Sequence, residues 1–225
     1  MEVLYEDNHL LAVNKKPSDL SQADATGDNS LDSEIKEYLS KKYNKPGEVF
    51  LGVVHRLDRP VGGVILYART SKALRRLNEM FRTREIRKIY LAVVGERPPE
   101  DEATITHYLK KNEKQNKTYV YDNHVKGSQK ASLAYKLAGR SDRYFLLEIE
   151  LHSGRHHQIR AQLAKIGCPV KGDLKYGYSR SSSDGSINLL ARKLELVHPV
   201  KKEKIIITAP LPQTDVWKYF SNVVA

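Results

Sequence analysis

Chemistry in this sequence is best sought at Asp58. It sits in His55-Arg56-Leu57-Asp58-Arg59-Pro60-Val61-Gly62-Gly63, directly ahead of the apolar run Val64-Ile65-Leu66-Tyr67-Ala68. Two arginines flank one carboxylate, and nearby cations favour the ionised form. Pro60, Gly62 and Gly63 predict a tight turn that holds the acid at a loop tip. A carboxylate so held can serve as a covalent nucleophile, or it can form an ordinary solvated Arg/Asp pair. His55, His156 and His157 invite a metal reading, since His55 precedes Asp58 by three residues. No second Cys/His cluster lies nearby to complete a ligand set, so no metal is expected and the histidines are assigned to hydrogen bonding. The single cysteine, Cys168, excludes an internal disulfide.

Charge narrows the partners. Lys and Arg number 38 against 27 acids, a formal charge of +11 over 225 residues, which favours a polyanion such as nucleic acid. Thirteen tyrosines add faces on which bases can stack. The first residues lack a basic stretch followed by an apolar one, and no apolar run reaches membrane-spanning length. A soluble, cytoplasmic protein with no membrane partner is the expectation.

The elements that must position Asp58 follow from periodicity. Val3-Leu4-Tyr5 and Leu10 to Val13 predict a hairpin, followed by Asn14-Lys15-Lys16-Pro17 and a polar loop from Ser18 to Asn29. Ser30 is placed to cap a helix from Leu31 to about Tyr43, with Leu31, Ile35, Tyr38 and Leu39 on one face. Thr70 or Ser71 caps a second helix to about Arg84. Ala73, Leu74, Leu77 and Phe81 point inward there, and Lys72, Arg75, Arg76, Arg82 and Arg84 outward. Ile86 to Val94 is a predicted strand, and residues 96–127 a protruding polar hairpin. Ala131 to Ala138 pairs with Tyr144 to Leu151, whose Phe145, Leu147, Ile149 and Leu151 share a face. His156 or His157 opens a helix to Ile166 that Gly167 closes. Strands over Leu189 to Leu196 and Lys204 to Thr208 precede a short helix carrying Trp217. The fold class expected is α+β, a mixed and largely antiparallel central sheet flanked by helices and loops. One domain over residues 1–225 is expected.

Three blocks, in order, carry a resemblance. They are His55 to Gly63, then Arg87-Lys88-Ile89-Tyr90-Leu91-Ala92-Val93-Val94-Gly95, then Leu151-His152-Ser153-Gly154-Arg155-His156-His157-Gln158-Ile159-Arg160. The third continues into Gly167-Cys168-Pro169-Val170-Lys171-Gly172-Asp173 and Lys175-Tyr176-Gly177. With Leu11 to Pro17 near the start and Leu194 to Pro199 near the end, the set resembles the RluA-type RNA pseudouridine synthases over nearly the whole chain.

The resemblance implies the pseudouridine synthase fold and cofactor-free conversion of a uridine to pseudouridine in structured RNA, transfer or ribosomal. It implies Asp58 as nucleophile, attacking the sugar or the base, with Arg160 as its partner arginine and Tyr90 as the tyrosine against the target ring. Ile159 and Leu194 would wall the uracil pocket, with ordinary core packing as their plain alternative. Arg56 would fill the space of a base flipped from its stack, or else touch phosphate. His55, Lys88 and Arg155 are the remaining candidate substrate-binding residues. Ser153 stands where threonine is commoner, and Gln162 where histidine is common. The resemblance starts at the catalytic domain with no S4 module in front, and a monomer is expected.

Overall fold

The computed structural model describes residues 1–23, 30–213 and 215–223. Residues 24–29 of the expected polar loop lie outside the described residues. The chain is α+β, and it divides into two compact units, each discontinuous in sequence: residues 1–87 with 191–210, and residues 88–190 with 211–225.

The first unit begins with the expected hairpin, β1 (Glu2–Glu6) and β2 (Leu10–Lys15). Asp7 closes it, its Oδ1 accepting the backbone N–H groups of His9 and Leu10, each at 2.8 Å. After α1 (Leu31–Lys42) and the two-residue β3 (Gly52–Val53), β4 (Gly62–Ala68) runs antiparallel to β2 from Lys15 opposite Gly63 to Leu10 opposite Ala68. Helix α2 (Ser71–Thr83) follows, capped by Thr70, whose Oγ1 accepts the Ala73 N–H at 3.2 Å. It buries Ala73, Leu77 and Met80 in a core shared with Leu10, Ala12, Val64, Leu66, Leu194, Leu196 and Ile207. Helix α1 buries Leu31, Ile35 and Leu39 as its spacing predicts, but two details differ. The Ser30 hydroxyl bonds Ser33 Oγ at 3.0 Å instead of capping a backbone N–H. Tyr38 is only half-buried, because its hydroxyl reaches Glu6 Oε2 at 2.8 Å.

Gly63, the second residue of β4, shows why this turn tolerates no side chain. Its φ is +111°, and a Cβ there would stand 2.2 Å from the backbone oxygen of Ala191. Replacing it therefore combines left-handed strain with a clash against backbone, which cannot rotate away. Gly63→Ala is expected to lower stability by about 2–3 kcal/mol, read as a shift in urea midpoint at unchanged slope.

The second unit is a five-stranded antiparallel arrangement in the order β5-β9-β8-β6-β7. Its strands are β5 (Arg87–Val94), β6 (Glu102–Asn112), β7 (Lys117–Tyr121), β8 (Gln129–Arg140) and β9 (Phe145–Leu151). The polar segment expected to protrude does contain a hairpin, β6–β7. Strand β6 also pairs with β8 from Glu102 opposite Lys136 to Leu109 opposite Gln129, so the hairpin is part of the sheet. Strand β9 buries Leu146 on its second face, where Glu148 and Glu150 are half-buried. Leu147, Ile149 and Leu151 are buried as expected, while Leu146 packs oppositely with Leu91, Val93, Leu190, Val216, Trp217 and Phe220. The expected helix around Trp217 is a 3-10 segment, Asp215–Phe220. Helix α3 (Gln158–Lys165) packs on β6 and β7, and strands β10 (Leu189–Val197) and β11 (Lys204–Thr208) pair in the first unit.

Candidate active site

In the first unit the Asp58 loop is held by its backbone on both sides of the acid. Ser21 clamps the residue before it: the Leu57 N–H donates to Ser21 Oγ at 3.2 Å, and that hydroxyl donates to Leu57 O at 3.1 Å. The buried Tyr67 hydroxyl in turn donates to Ser21 O at 2.6 Å. The Val61 N–H closes the turn on Asp58 O at 3.0 Å, and the Ser18 N–H donates to Arg59 O at 2.9 Å. Loop carbonyls saturated this way leave the backbone little freedom, so the half-buried Asp58 side chain is presented from a fixed frame.

Lys15 completes the frame. Only 1% exposed, it extends the inward alternation of Leu11 and Val13 one step further along β2. Its ammonium donates to Val61 O at 2.7 Å and to Arg59 O and Lys16 O at 3.1 Å each. Burial pushes its pKa down to about 8, against the opposing pull of the Asp19 and Asp58 carboxylates. Because the folded value lies below the ordinary one, the unfolded chain binds more protons between about pH 8 and 10.5. The contribution of Lys15 to stability should therefore rise with pH across that window. Urea midpoints at pH 8 and 10 should show this gain as a difference between the wild-type chain and Lys15→Met, since the buried tyrosines, Tyr67 among them, pull the other way in both.

His55 is also part of the frame. Its Nε2 accepts the Leu66 N–H at 2.9 Å, which requires that nitrogen to be unprotonated, and its ring stacks on Phe81 at 4.9 Å. Arg56 and Arg59 are exposed, and Leu194 belongs to the core around α2. The first unit thus carries His55, Arg56, Asp58 and Leu194.

The second unit carries Lys88, Tyr90, Arg155, Ile159 and Arg160. Lys88 is buried and Tyr90 half-buried on β5, where Tyr90 lies opposite Ile149. Arg155 is exposed, and Ile159 is buried in the first turn of α3. The loop into that helix is locked by Gln158. Its Oε1 accepts from the Ser153 hydroxyl at 2.8 Å and the Arg155 N–H at 3.1 Å, while its Nε2 donates to Ser132 O at 3.1 Å. Ser153 thereby does the work of its hydroxyl, accepting the Ser132 N–H at 3.0 Å as well. Gln162 is fully buried, its Nε2 donating to His107 Nδ1 at 3.0 Å.

Arg160 is gripped by Asp173. Its Nε donates to Oδ2 at 2.6 Å and its Nη2 to Oδ1 at 2.9 Å, with the two residues 4% and 1% exposed. The guanidinium also lies over the Tyr176 ring, 5.1 Å from its centroid. Tyr176 is fixed in turn, its hydroxyl accepting the Thr118 N–H at 2.8 Å and sharing a hydrogen bond with His157 Nδ1 at 3.0 Å. Burial and the Arg160 charge push the His157 pKa down to about 2, so it stays neutral at any ordinary pH. The arrangement is that of a bidentate pair whose position is fixed before any ligand arrives.

Sequence reasoning missed Lys15, Ser21, Tyr67 and Asp173. The strand alternation through Leu11, Val13 and Lys15 carried a signal for the first, and Asp173 stood in a block of the resemblance without a role assigned to it; Ser21 and Tyr67 had no signal beyond their types. Among the described residues no group of three or more His, Cys, Asp or Glu side chains could hold a metal ion, and no helix is long and apolar enough to cross a membrane.

Residues 9–165 match the family model described as RNA pseudouridylate synthase. The chain is 39% identical over 167 residues to an uncharacterized RNA pseudouridine synthase of Chloroflexus aurantiacus, covering 74% of this chain and 52% of that protein. It is 32% identical over 232 residues to tRNA pseudouridine synthase C of Salmonella typhimurium, covering 95% of this chain and 86% of that one. The chain thus spans about half the length of the first relative and most of the second. The solved structure of human RNA pseudouridylate synthase domain containing 4 superposes with a TM-score of 0.82 over 98% of this chain and 92% of that chain. At 20% identity that likeness speaks for the fold.

Proposed function

Because the chain belongs to the RNA pseudouridylate synthase family, we propose that it isomerises a specific uridine to pseudouridine in structured transfer or ribosomal RNA. The observation that carries the reading is the Asp58 loop, an acid on a turn whose carbonyls are tied down by Ser21, Ser18 and Lys15. In the reaction the Asp58 carboxylate attacks the target nucleoside and the N1–C1′ bond breaks. The ring turns and rejoins through C5, and Asp58 is released. One hydrogen leaves C5 and one is gained at N1, so atoms and electrons balance with no oxidant, reductant or cofactor.

The other roles are those the resemblance implies. Tyr90 faces the target ring and Arg160 supports the reacting acid. Ile159 and Leu194 line the base, while Lys88 and Arg155 serve the phosphates. The target must leave its stack, at about a few kcal/mol, and Arg56 takes its place. His55 acts through the loop, by holding it to β4. A cytoplasmic location fits this substrate.

The test is release of tritium from RNA labelled with [5-³H]uridine, using transfer and ribosomal RNA from a strain lacking the gene. Release that matches a pseudouridine missing in that strain supports the assignment and names the substrate. No release from either RNA, with no site missing, would overturn it.

A further inference from the structure

The sheet of the second unit has a face that the proposed reaction does not use. Strand alternation puts Thr104, Thr106, Tyr108 and Lys110 of β6 on one side, with Tyr119 and Tyr121 of β7 and Lys130 and Ser132 of β8 beside them. The register pairs Tyr108 with Tyr121 and with Lys130, and Lys110 with Tyr119. The opposite side carries His107, Leu109 and Thr118, which are buried on the side where α3 packs. On the open side Tyr119 and Tyr121 are 41% and 36% exposed, and Lys110 and Lys130 are exposed with them.

These rings are arranged rather than scattered. His124, itself exposed, sits edge-on to Tyr108 at 5.5 Å between centroids. Tyr119 is steadied at the hairpin turn by donating its hydroxyl to Gln115 Oε1 at 2.6 Å. Among the described residues no carboxylate stands in register on this face between Thr104 and Lys110 or on their partners. Asp122 pairs with Lys165 at 2.9 Å and Glu113 with Lys111 at 2.6 Å, and the acids of this face, Glu102, Glu148 and Glu150, lie beyond Thr104, where Glu148 pairs with Lys136 at 3.0 Å.

We infer that this face of β6, β7 and β8 is a platform for unpaired nucleotides of the RNA substrate. Bases stack on Tyr108, Tyr119 and Tyr121, and Lys110 and Lys130 hold phosphates. The inference rests on the proposal that RNA is the substrate, and it adds a second place of contact to it. Exposed aromatics alternating with lysines on an open sheet suit single strands, since every base has a face to stack and the phosphates follow the cations. A protein partner would have to cover the same rings without acids to meet Lys110 and Lys130, and the chain's +11 charge favours the polyanion.

The probe is a twelve-residue oligouridine, titrated against the full chain by fluorescence anisotropy and cross-linked through 5-iodouridine. Tyr119→Ala with Tyr121→Ala should weaken binding about tenfold or more, while Tyr119→Phe with Tyr121→Phe stays within about threefold. Lys110→Gln with Lys130→Gln should reduce the salt slope by about one to two. Cross-links should fall on Tyr108, Tyr119 or Tyr121. Cross-links confined to other residues, with the Ala pair binding as wild type, would overturn the platform. So would Ala substitutions that leave RNA binding unmoved while changing the sedimentation mass, which would make the face an interface between copies. Tritium release separates the two readings: an active wild-type enzyme with no effect of the tyrosines removes the platform alone. An inactive chain whose binding still depends on them removes the isomerase alone.

Discussion

Asp58→Asn should cut tritium release at least a thousandfold while leaving affinity for the same RNA within a few-fold. Loss of a covalent nucleophile removes the reaction path itself, and single knock-outs of such groups cost factors of this size or more. Asparagine keeps the volume and the Asp58 backbone hydrogen bond to Val61, so the loop frame made by Ser21, Ser18 and Lys15 should stand. That separation matters because a non-catalytic RNA-binding protein on the same fold would need no acid at this point. Single-turnover release and filter binding, measured on one preparation, decide it. Release at wild-type rate from the Asn variant would leave the chemistry with another group.

Asp173→Ala should be the most damaging substitution for the fold itself. It takes from Arg160, a cation at 4% exposure, the carboxylate that holds it in two places. Breaking a buried pair by removing one partner costs about 3–5 kcal/mol, because the remaining charge stays desolvated. The loss is a large fraction of the stability of an ordinary domain. Thermal and urea unfolding should both show it. Asp173→Asn is the informative companion, since the amide oxygen still accepts from one guanidinium nitrogen. It should retain more stability than the Ala variant, yet lose activity if Arg160 must be aimed. A smaller loss in Arg160→Met,Asp173→Leu than in Asp173→Ala would show that the cost lies in a buried charge deprived of its carboxylate, as expected for buried pairs.

The elements around these residues were largely legible because apolar spacing is a local signal. Leu31, Ile35 and Leu39, or Ala73 and Leu77, recur at helical intervals, and both faces emerge where the spacing puts them. What escaped the spacing depends on contacts far apart in the chain. Leu146 looked outward by alternation with Leu147, yet it is buried because Trp217 and Phe220 return from seventy residues later. The β6–β7 segment read as an appendage because its residues are polar, and only the ladder to β8 makes it sheet. At the candidate site, residue types drew attention to Asp58, and the resemblance to Arg160. Nothing local could show that Ser21 holds Leu57 across 36 positions, or that Asp173 grips Arg160.

The way the two units share the chain has a consequence for its birth. The first unit needs residues 191–210, because Leu194, Leu196 and Ile207 complete its core. The second needs Val216, Trp217 and Phe220 to close over Leu91, Val93 and Leu146. The first therefore cannot reach its final packing on the ribosome before residues 191–210 have been made, nor the second before Phe220. Leu10, Ala12 and Leu66 must wait through well over a hundred residues of synthesis with one side of their core missing. Folding is then expected to be late and slow, governed by distant closures rather than by the early hairpin. Nascent chains stalled before β10 should be readily digested by protease, and those stalled with Phe220 clear of the exit tunnel should resist it.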